Sequence, residues 1–451
     1  MSKVTIIGGG GVRTPLVIYG LAQAQLGVDE VVLFDIDERR TETIARLGNE
    51  VLRGFGQPFE IRISTKLNEA AAGAQFVLNS VRAGGMAARA RDERVAIENG
   101  LAGQETTGPG GAAMALRTLP ITLGHASIIE HVAPDAWFIN FTNPAGLITQ
   151  ALTQNTRLRV IGICDTPMEL FHRIAGAMGE PLQEMVFDYA GLNHLGWVRH
   201  VYVRGEDVTE RLLNDANLLS RLYPSDLFDP QLVQALRLIP TEYLFFYYSQ
   251  RRAYRNQIRA GATRGEELQR LNEELFRQLA TEDSAAALQT YRNYLSRRNA
   301  SYMKLEGQGD SVFSTPKHEE DPFETATGYH RIALDTMRGL TSRDRREVVL
   351  NVNNHGAIED LESDDVVEVP CDLDQDGPRP RTTGKLPDSV RGLVLSVKAY
   401  ERTIIKAALS GSAATAQLAL LEYPIIAQWE IAKDIIGKLT EADREYLGYL
   451  H

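Results

Sequence analysis

Four consecutive glycines, Gly8 to Gly11, follow the β-branched run Val4-Thr5-Ile6-Ile7, and a helical pattern opens almost at once, at Thr14-Pro15. Few folds use that order. A strand that passes through a side-chain-free turn into a helix brings the helix N-terminus against the strand's end. That N-terminus carries uncommitted N–H groups and a partial positive charge. The arrangement is the one that holds a dinucleotide pyrophosphate on a doubly wound parallel sheet. Gly8 and Gly10 fit its spacing, while the third glycine position falls on Arg13. Gly8, Gly10, Gly11, Val12 and Arg13 are the expected cofactor contacts, set against the plain alternative of a tight turn.

The next elements strengthen the nucleotide reading. Glu30 to Phe34 forms a second strand that ends in Asp35, where an acid takes the adenosine ribose hydroxyls. An acid there favours NAD over NADP, with Arg39 and Arg40 as the opposing signal. A helix over 38–54 and strands at 60–64 and 75–79 follow, and Asn79 joins the expected cofactor set. Alternation of strands and helices implies right-handed crossovers and a parallel sheet. We expect a Rossmann-type NAD-binding domain over 1–165. A mostly helical α/β domain over 166–451 completes an architecture like that of lactate or malate dehydrogenase. In the second part the pattern gives helices at 207–221, 230–258 and 264–295, a strand pair at 347–352 and 366–369, and terminal helices over 389–435. The polar, proline-rich stretch Asp372 to Asp388 reads as a mobile loop.

Composition excludes several partners. The net charge of −11 and the lack of a basic run argue against nucleic acid and anionic membrane. Two cysteines in 451 residues make no disulfide framework and point to a reducing compartment. The chain begins directly with a strand pattern, and no apolar stretch reaches the roughly 18 residues that span a bilayer. The expected location is the cytoplasm.

Chemistry-bearing residues gather at strand ends. The run Leu158 to Ile163 ends in Cys164-Asp165, with Pro167 placed to open a helix. The carboxyl end of such a strand is where ligands collect in open α/β sheets. A second polar spot in apolar surroundings is Asn193-His194, and Cys164 and His194 are the candidate ligands of one metal ion. The small-residue loop Gly103 to Gly111 reads as a ligand wall. Asn143, before Pro144, either hydrogen-bonds a sugar hydroxyl or caps a turn. Arg89, in the charged segment 89–94, lies on a solvated face or reaches a substrate anion.

In order, the glycine turn, Gly103 to Gly111, Asn140-Phe141-Thr142-Asn143-Pro144, and Cys164 with Gly191-Leu192-Asn193-His194 resemble the NAD- and divalent-metal-dependent family 4 glycoside hydrolases, nearest their 6-phospho-β-glucosidase branch. The likeness runs through Asn353, Gly356 and Glu368 to Cys371. It implies chemistry outside the two-carboxylate scheme of most glycosidases. NAD⁺ takes a hydride from C3 of the sugar, and Mn²⁺ or another divalent metal on Cys164 and His194 holds O2 and O3. A tyrosinate removes the C2 proton, the glycosidic oxygen leaves, water adds at C1 and the hydride returns.

The resemblance also implies residue roles. Tyr243 matches the base, with Tyr247 one helical turn on as the alternative. Asp165 matches the general acid of some α-specific members, where many β-specific members carry Asn. Arg89 and Arg264 match substrate contacts suited to a 6-phosphate, and Asn143 matches a sugar contact. Arg13 and His355 depart from the pattern at the substrate end. The substrate implied is a phosphorylated disaccharide or glycoside, and the assembly a homodimer or homotetramer. A 6-phospho-α-glucosidase, a hydroxy-acid or sugar dehydrogenase, and a sugar-phosphate sensor without catalysis stand as alternatives.

Overall fold

The computed structural model describes residues 2–223, 227–281, 283–303, 321–325 and 328–451. Among these residues thirteen strands form one sheet. They are β1 (Ser2–Ile7), β2 (Val28–Phe34), β3 (Glu60–Ser64), β4 (Phe76–Asn79), β5 (Trp137–Asn140), β6 (Arg159–Gly162), β7 (Met185–Leu192), β8 (Leu195–Val203), β9 (Glu206–Asp207), β10 (Ile239–Pro240), β11 (Arg346–Asn353), β12 (Val366–Asp374) and β13 (Gly377–Pro380). The spatial order is β10-β8-β7-β12-β11-β6-β5-β4-β1-β2-β3, with β9 on β8 and β13 on β12.

The six strands from β6 to β3 are all parallel. Most of their apolar residues are buried on both faces, with Ile61 and Ile63 of the edge strand β3 only partly so, as helices on both sides of a parallel sheet require. From β6 onward the sheet turns antiparallel. β11 joins β6 through the single pair Asn351↔Gly162, and β12 joins β7 through Glu368↔Gly191. The β11–β12 hairpin, from late in the chain, thus separates β6 from β7, its neighbour in sequence.

Several expected helices are broken. The span 230–258 divides at Arg237, which holds a left-handed φ of 58°. The short strand β10 and a 3₁₀ turn, Glu242–Leu244, follow. Pro240 lacks the N–H that a helix interior needs. The span 264–295 is two helices, Arg264–Leu279 and Ser284–Ala300, the second capped by Asp283 on Ala286 N. The span 207–221 is also two, with Asp215 capping Ala216–Ser220. The stretch from Asp372 is not a loop at its start: it completes β12 and returns through β13, tied by Asp372–Arg381 and Asp374–Arg379 pairs.

One helix, Pro109–Val132, is long and apolar enough by composition to cross a membrane. It is instead a core helix: Arg117 within it is 1% exposed and ion-paired to Asp92 and Asp443.

Candidate active site

The parallel half supplies a turn of the kind that holds a dinucleotide. Gly8 and Gly9 N–H groups both donate to Phe34 O at 2.9 Å, which draws the turn onto the end of β2. Gly8 has a φ of 86°, and a Cβ there would lie 2.8 Å from Ser80 O, so no larger residue fits. Gly10 N donates to Asp35 Oδ2 at 3.0 Å, so Asp35 also braces the turn from the end of β2. Gly11 is exposed, and the first helix, Thr14–Ala24, has no side-chain N-cap. Val12 and Arg13 are half-buried at its start. Asn79 ends β4, where its Nδ2 donates to Asn140 Oδ1 at 2.9 Å and its own Oδ1 has no partner among the described residues. A glycine turn with no room for side chains and an uncapped helix start fit a pyrophosphate.

At the next strand ends, the two candidate metal ligands meet. Cys164 follows β6, His194 sits in the turn between β7 and β8, and Sγ lies 3.4 Å from Nε2. Both are buried. His194 holds a left-handed φ of 60°, and its neighbours fix that turn. Asn193 Oδ1 accepts from Ala145 N at 3.0 Å, and its Nδ2 donates to Glu368 Oε1 at 3.1 Å. Glu368, on β12, also accepts from Asn351 Nδ2 at 3.0 Å and from the Tyr189 hydroxyl at 2.7 Å. Burial pushes the Glu368 carboxyl up to about 7, against those three donors.

The imidazole tautomer follows from the loop Gly103 to Gly111. Thr106 Oγ1 lies 2.8 Å from His194 Nδ1 and 2.9 Å from Gln104 Oε1. The amide oxygen can only accept, so the threonine proton goes to Gln104. The hydroxyl then accepts from Nδ1–H, which leaves the Nε2 lone pair facing Sγ. Burial lowers the His194 pKa to about 4, so the ring is neutral. Burial, then Glu368 and Asp165, push the Cys164 thiol up, so in the protein alone it keeps its proton. A neutral imidazole beside a thiol whose proton a cation displaces is the donor pair a divalent metal needs. No group of three or more His, Cys, Asp or Glu is placed to hold a metal among the described residues, and a divalent ion on this pair would need oxygen ligands from substrate or water to complete its shell.

The Tyr243 ring stacks on the His194 ring, with centroids 3.8 Å apart and planes within 4°. The broken helix at 230–258 makes this possible. Thr241 N pairs with Gly196 O at 3.0 Å, and the 3₁₀ turn then presents Tyr243. Burial and Glu105 push the Tyr243 hydroxyl well up, while its hydrogen bond with Tyr302 pulls it down. Tyr302 also bonds Glu242 Oε1 at 3.0 Å. Tyr247, the alternative base, bonds the Tyr423 hydroxyl at 2.6 Å and does not line the cavity.

Tyr243 faces a cavity of about 850 Å³ including its mouth, which Arg13, Arg89, Asp165 and Arg264 also line. Arg89 is not on a solvated face: its Nε pairs with Glu93 and its Nη1 with Glu105, each at 2.7 Å. Burial opposes ionisation of Glu105, yet Arg89, Arg82 and Arg13 hold its carboxyl well below the usual range. Arg264 Nη1 pairs with Glu267 at 2.7 Å. Burial pushes the Asp165 carboxyl up to about 6, with Arg13 opposing. Asn143 is half-buried near these strand ends. His355 lies on an exposed turn away from the cavity lining.

Sequence reasoning gave no role to Thr106, Glu242 or Glu368, although each lies in a stretch that carries the resemblance, and none to Tyr302, Arg173 or Arg298. Only Glu368 carries a local signal, as a lone acid inside the apolar run Val366 to Val369.

Comparison with known proteins agrees over the full length. A model described as "Family 4 glycosyl hydrolase" matches residues 3–180, and one for the "Family 4 glycosyl hydrolase C-terminal domain" matches 189–426. A probable 6-phospho-β-glucosidase of Bacillus subtilis is 31% identical, covering 99% of this chain and 97% of its own. A phospho-α-glucosidase of Clostridium acetobutylicum is 26% identical over 100% of this chain and 99% of its own. The solved structure of the 6-phospho-β-glucosidase of Thermotoga maritima with manganese, NAD⁺ and glucose 6-phosphate superposes with a TM-score of 0.82 at 29% identity, covering 99% of each chain.

Proposed function

The chain belongs to the family 4 glycosyl hydrolases, and we propose that it cleaves 6-phospho-β-glucosides with NAD⁺ and a divalent cation, Mn²⁺, as cofactors. The observation that carries this reading is the Cys164–His194 contact with the Tyr243 ring stacked on it, at the wall of an arginine-lined cavity. Relatives named 6-phospho-β-glucosidase at 29–31% identity support the substrate class.

When bound, NAD⁺ supplies a hydride acceptor for the sugar C3–H, and the cation supplies a Lewis acid for the neighbouring oxygens. The chain's own residues do the rest. Gly8, Gly10, Gly11, Val12, Arg13, Asp35 and Asn79 hold the dinucleotide. Cys164 Sγ and His194 Nε2 hold the cation, and Thr106 keeps the imidazole in the required tautomer. Tyr243 Oη removes the C2 proton. Arg89 lies where it opposes the cost of its charge. Asp165, protonated below about pH 6, donates to the departing glycosidic oxygen. Asn143, Arg89 and Arg264 position the sugar. Two free, buried thiols fit a reducing compartment, the cytoplasm.

One observation favours a second reading. Asp165 matches the acid of α-specific relatives, and its burial keeps it a proton donor. The deciding experiment is release of p-nitrophenol from 6-phosphorylated α- and β-glucosides, under reducing conditions, with and without NAD⁺ and with Mn²⁺ or EDTA. We expect release from the β-anomer that needs both cofactors and leaves no net NADH. Net NADH would mark a dehydrogenase. Turnover of unphosphorylated glucosides alone would remove the phosphosugar reading.

A further inference from the structure

The loop Gly103 to Gly111 sets the His194 tautomer through Thr106, so whatever holds the loop also holds the imidazole. Within the loop, Gln104 Oε1 accepts from Thr107 N at 2.7 Å and from Thr106 N. That folds the chain around Thr106 and leaves its two ends to be fixed from outside. At one end the Gly103 backbone meets the Gln257 side chain. Gly103 N donates to Gln257 Oε1 at 2.8 Å, and Gln257 Nε2 donates to Gly103 O at 2.7 Å. Both residues are buried, and a Cβ on Gly103 would lie 2.6 Å from Glu93 O. At the other end Gly108 N donates to the buried Tyr423 hydroxyl at 3.1 Å. The same hydroxyl bonds that of Tyr247.

The two anchors stand 154 and 315 residues from the loop in the chain, yet both lead back to the segment that presents Tyr243. Gln257 lies in the helix Gln250–Ala260, directly after the short helix Phe245–Tyr248 that carries Tyr247. That segment therefore acts on His194 twice: on the ring face through Tyr243, and at Nδ1 through the loop. We infer that Gln257 and Tyr423 are positioning residues of the metal centre, which hold Thr106 on His194 Nδ1, and that Tyr247 braces Tyr423. An amide side chain that donates to and accepts from one residue's backbone fixes its orientation as well as its distance. A buried N–H or C=O stripped of its partner is costly. A loop that loses an anchor therefore shifts to find other partners, and Thr106 shifts with it.

This inference rests on the metal reading, and its test separates the two. Gln257→Met keeps the side-chain length and removes both hydrogen bonds. Tyr423→Phe keeps the ring and removes the hydroxyl. The full chain, metal-free and carrying nitrogen-labelled histidine, is followed by NMR, and the His194 signals are assigned by their change in Thr106→Val. The wild type is expected to show Nδ1–H, and both variants a shift toward Nε2–H. Free Mn²⁺ is then titrated by electron paramagnetic resonance. Gln257→Met is expected to weaken binding by roughly tenfold or more, the range for loss of an outer partner. On a Thr106→Val background the same change is expected to cost less than about twofold, because both act on one hydrogen bond. A structural strut would lower the unfolding temperature and leave the tautomer and the Mn²⁺ affinity unchanged, and that result overturns the inference. So does an undiminished loss on the Thr106→Val background, since the anchor would then act by another route. Should Gln257→Met not fold, Tyr423→Phe decides by the same criteria. A wild type that binds no Mn²⁺, with variants that still shift the His194 tautomer, supports the anchors and counts against the metal reading alone.

Discussion

At the scale of single residues, the His194 imidazole is oriented by a hydroxyl that touches no reactant. Thr106→Val keeps the shape and removes the acceptor at Nδ1. Loss of such an outer partner typically weakens a metal site by about 10–100-fold. Titration of free Mn²⁺ by electron paramagnetic resonance is expected to show that loss, with a smaller change in kcat at saturating metal. Unaltered Mn²⁺ affinity would refute the tautomer argument. Asp165→Asn is expected to slow alkyl 6-phosphoglucosides by about 100-fold or more, within the range of general-acid catalysis, and p-nitrophenyl substrates far less. Equal losses on both would remove its role as acid. Cys164, His194 and Tyr243 were legible because each lies in a short motif with its own resemblance. The contacts that Thr106 and Glu368 make were not, although both lie in such motifs. Their partners stand 88 and 175 residues away in the chain, and no local pattern encodes such a contact.

At the scale of elements, the loop Gly103 to Gly111 can reach His194 only because the helix behind it starts with glycines. A Cβ on Gly110 would lie 2.1 Å from Gln104 O. Gly110→Ala is therefore expected to displace Thr106, lowering Mn²⁺ affinity and the unfolding temperature together. Normal metal binding in that variant would show the loop to be adaptable. Strand β12 carries a pH-sensitive element. The Glu368 carboxyl titrates at about 7 when folded, against 4.5 as its ordinary value. Its contribution to stability is fully present below about 4.5 and is lost as pH rises through about 7. Glu368→Gln removes that titration, so denaturant unfolding from pH 4.5 to 7 should show a flatter decline. An unchanged slope would place the linkage elsewhere. The parallel strands were legible from their apolar runs. The helices were drawn too long because periodicity continued across breaks made by Pro240, Asp215 and Asp283, two of them visible only as caps.

At the scale of the whole molecule, a buried ionic knot ties the C-terminal segment to the cofactor half. Arg117 Nη1 donates to Asp92 at 3.0 Å and to Asp443 at 2.8 Å. All three side chains are buried. Asp443→Ala leaves the guanidinium partly uncompensated, at a cost of about 3–5 kcal/mol. Calorimetric unfolding should show a drop of several degrees, and a shift too small to measure would make the knot dispensable. This knot was not legible in the sequence, since Arg117 lies in an otherwise apolar helix and its partners are set only by the packed fold.

The insertion of β11 and β12 between β6 and β7 also sets an order of events during synthesis. The parallel strands can pair as they leave the ribosome, because each finds its neighbour among residues already made. Cys164 and His194 emerge early too, but the Asn351 and Glu368 side chains that brace their strands arrive only after most of the chain has been translated. A nascent chain therefore has a place for the dinucleotide well before it has a braced place for the metal. The hydrogen bonds that fix the turn of His194 are complete only once β12 has been made.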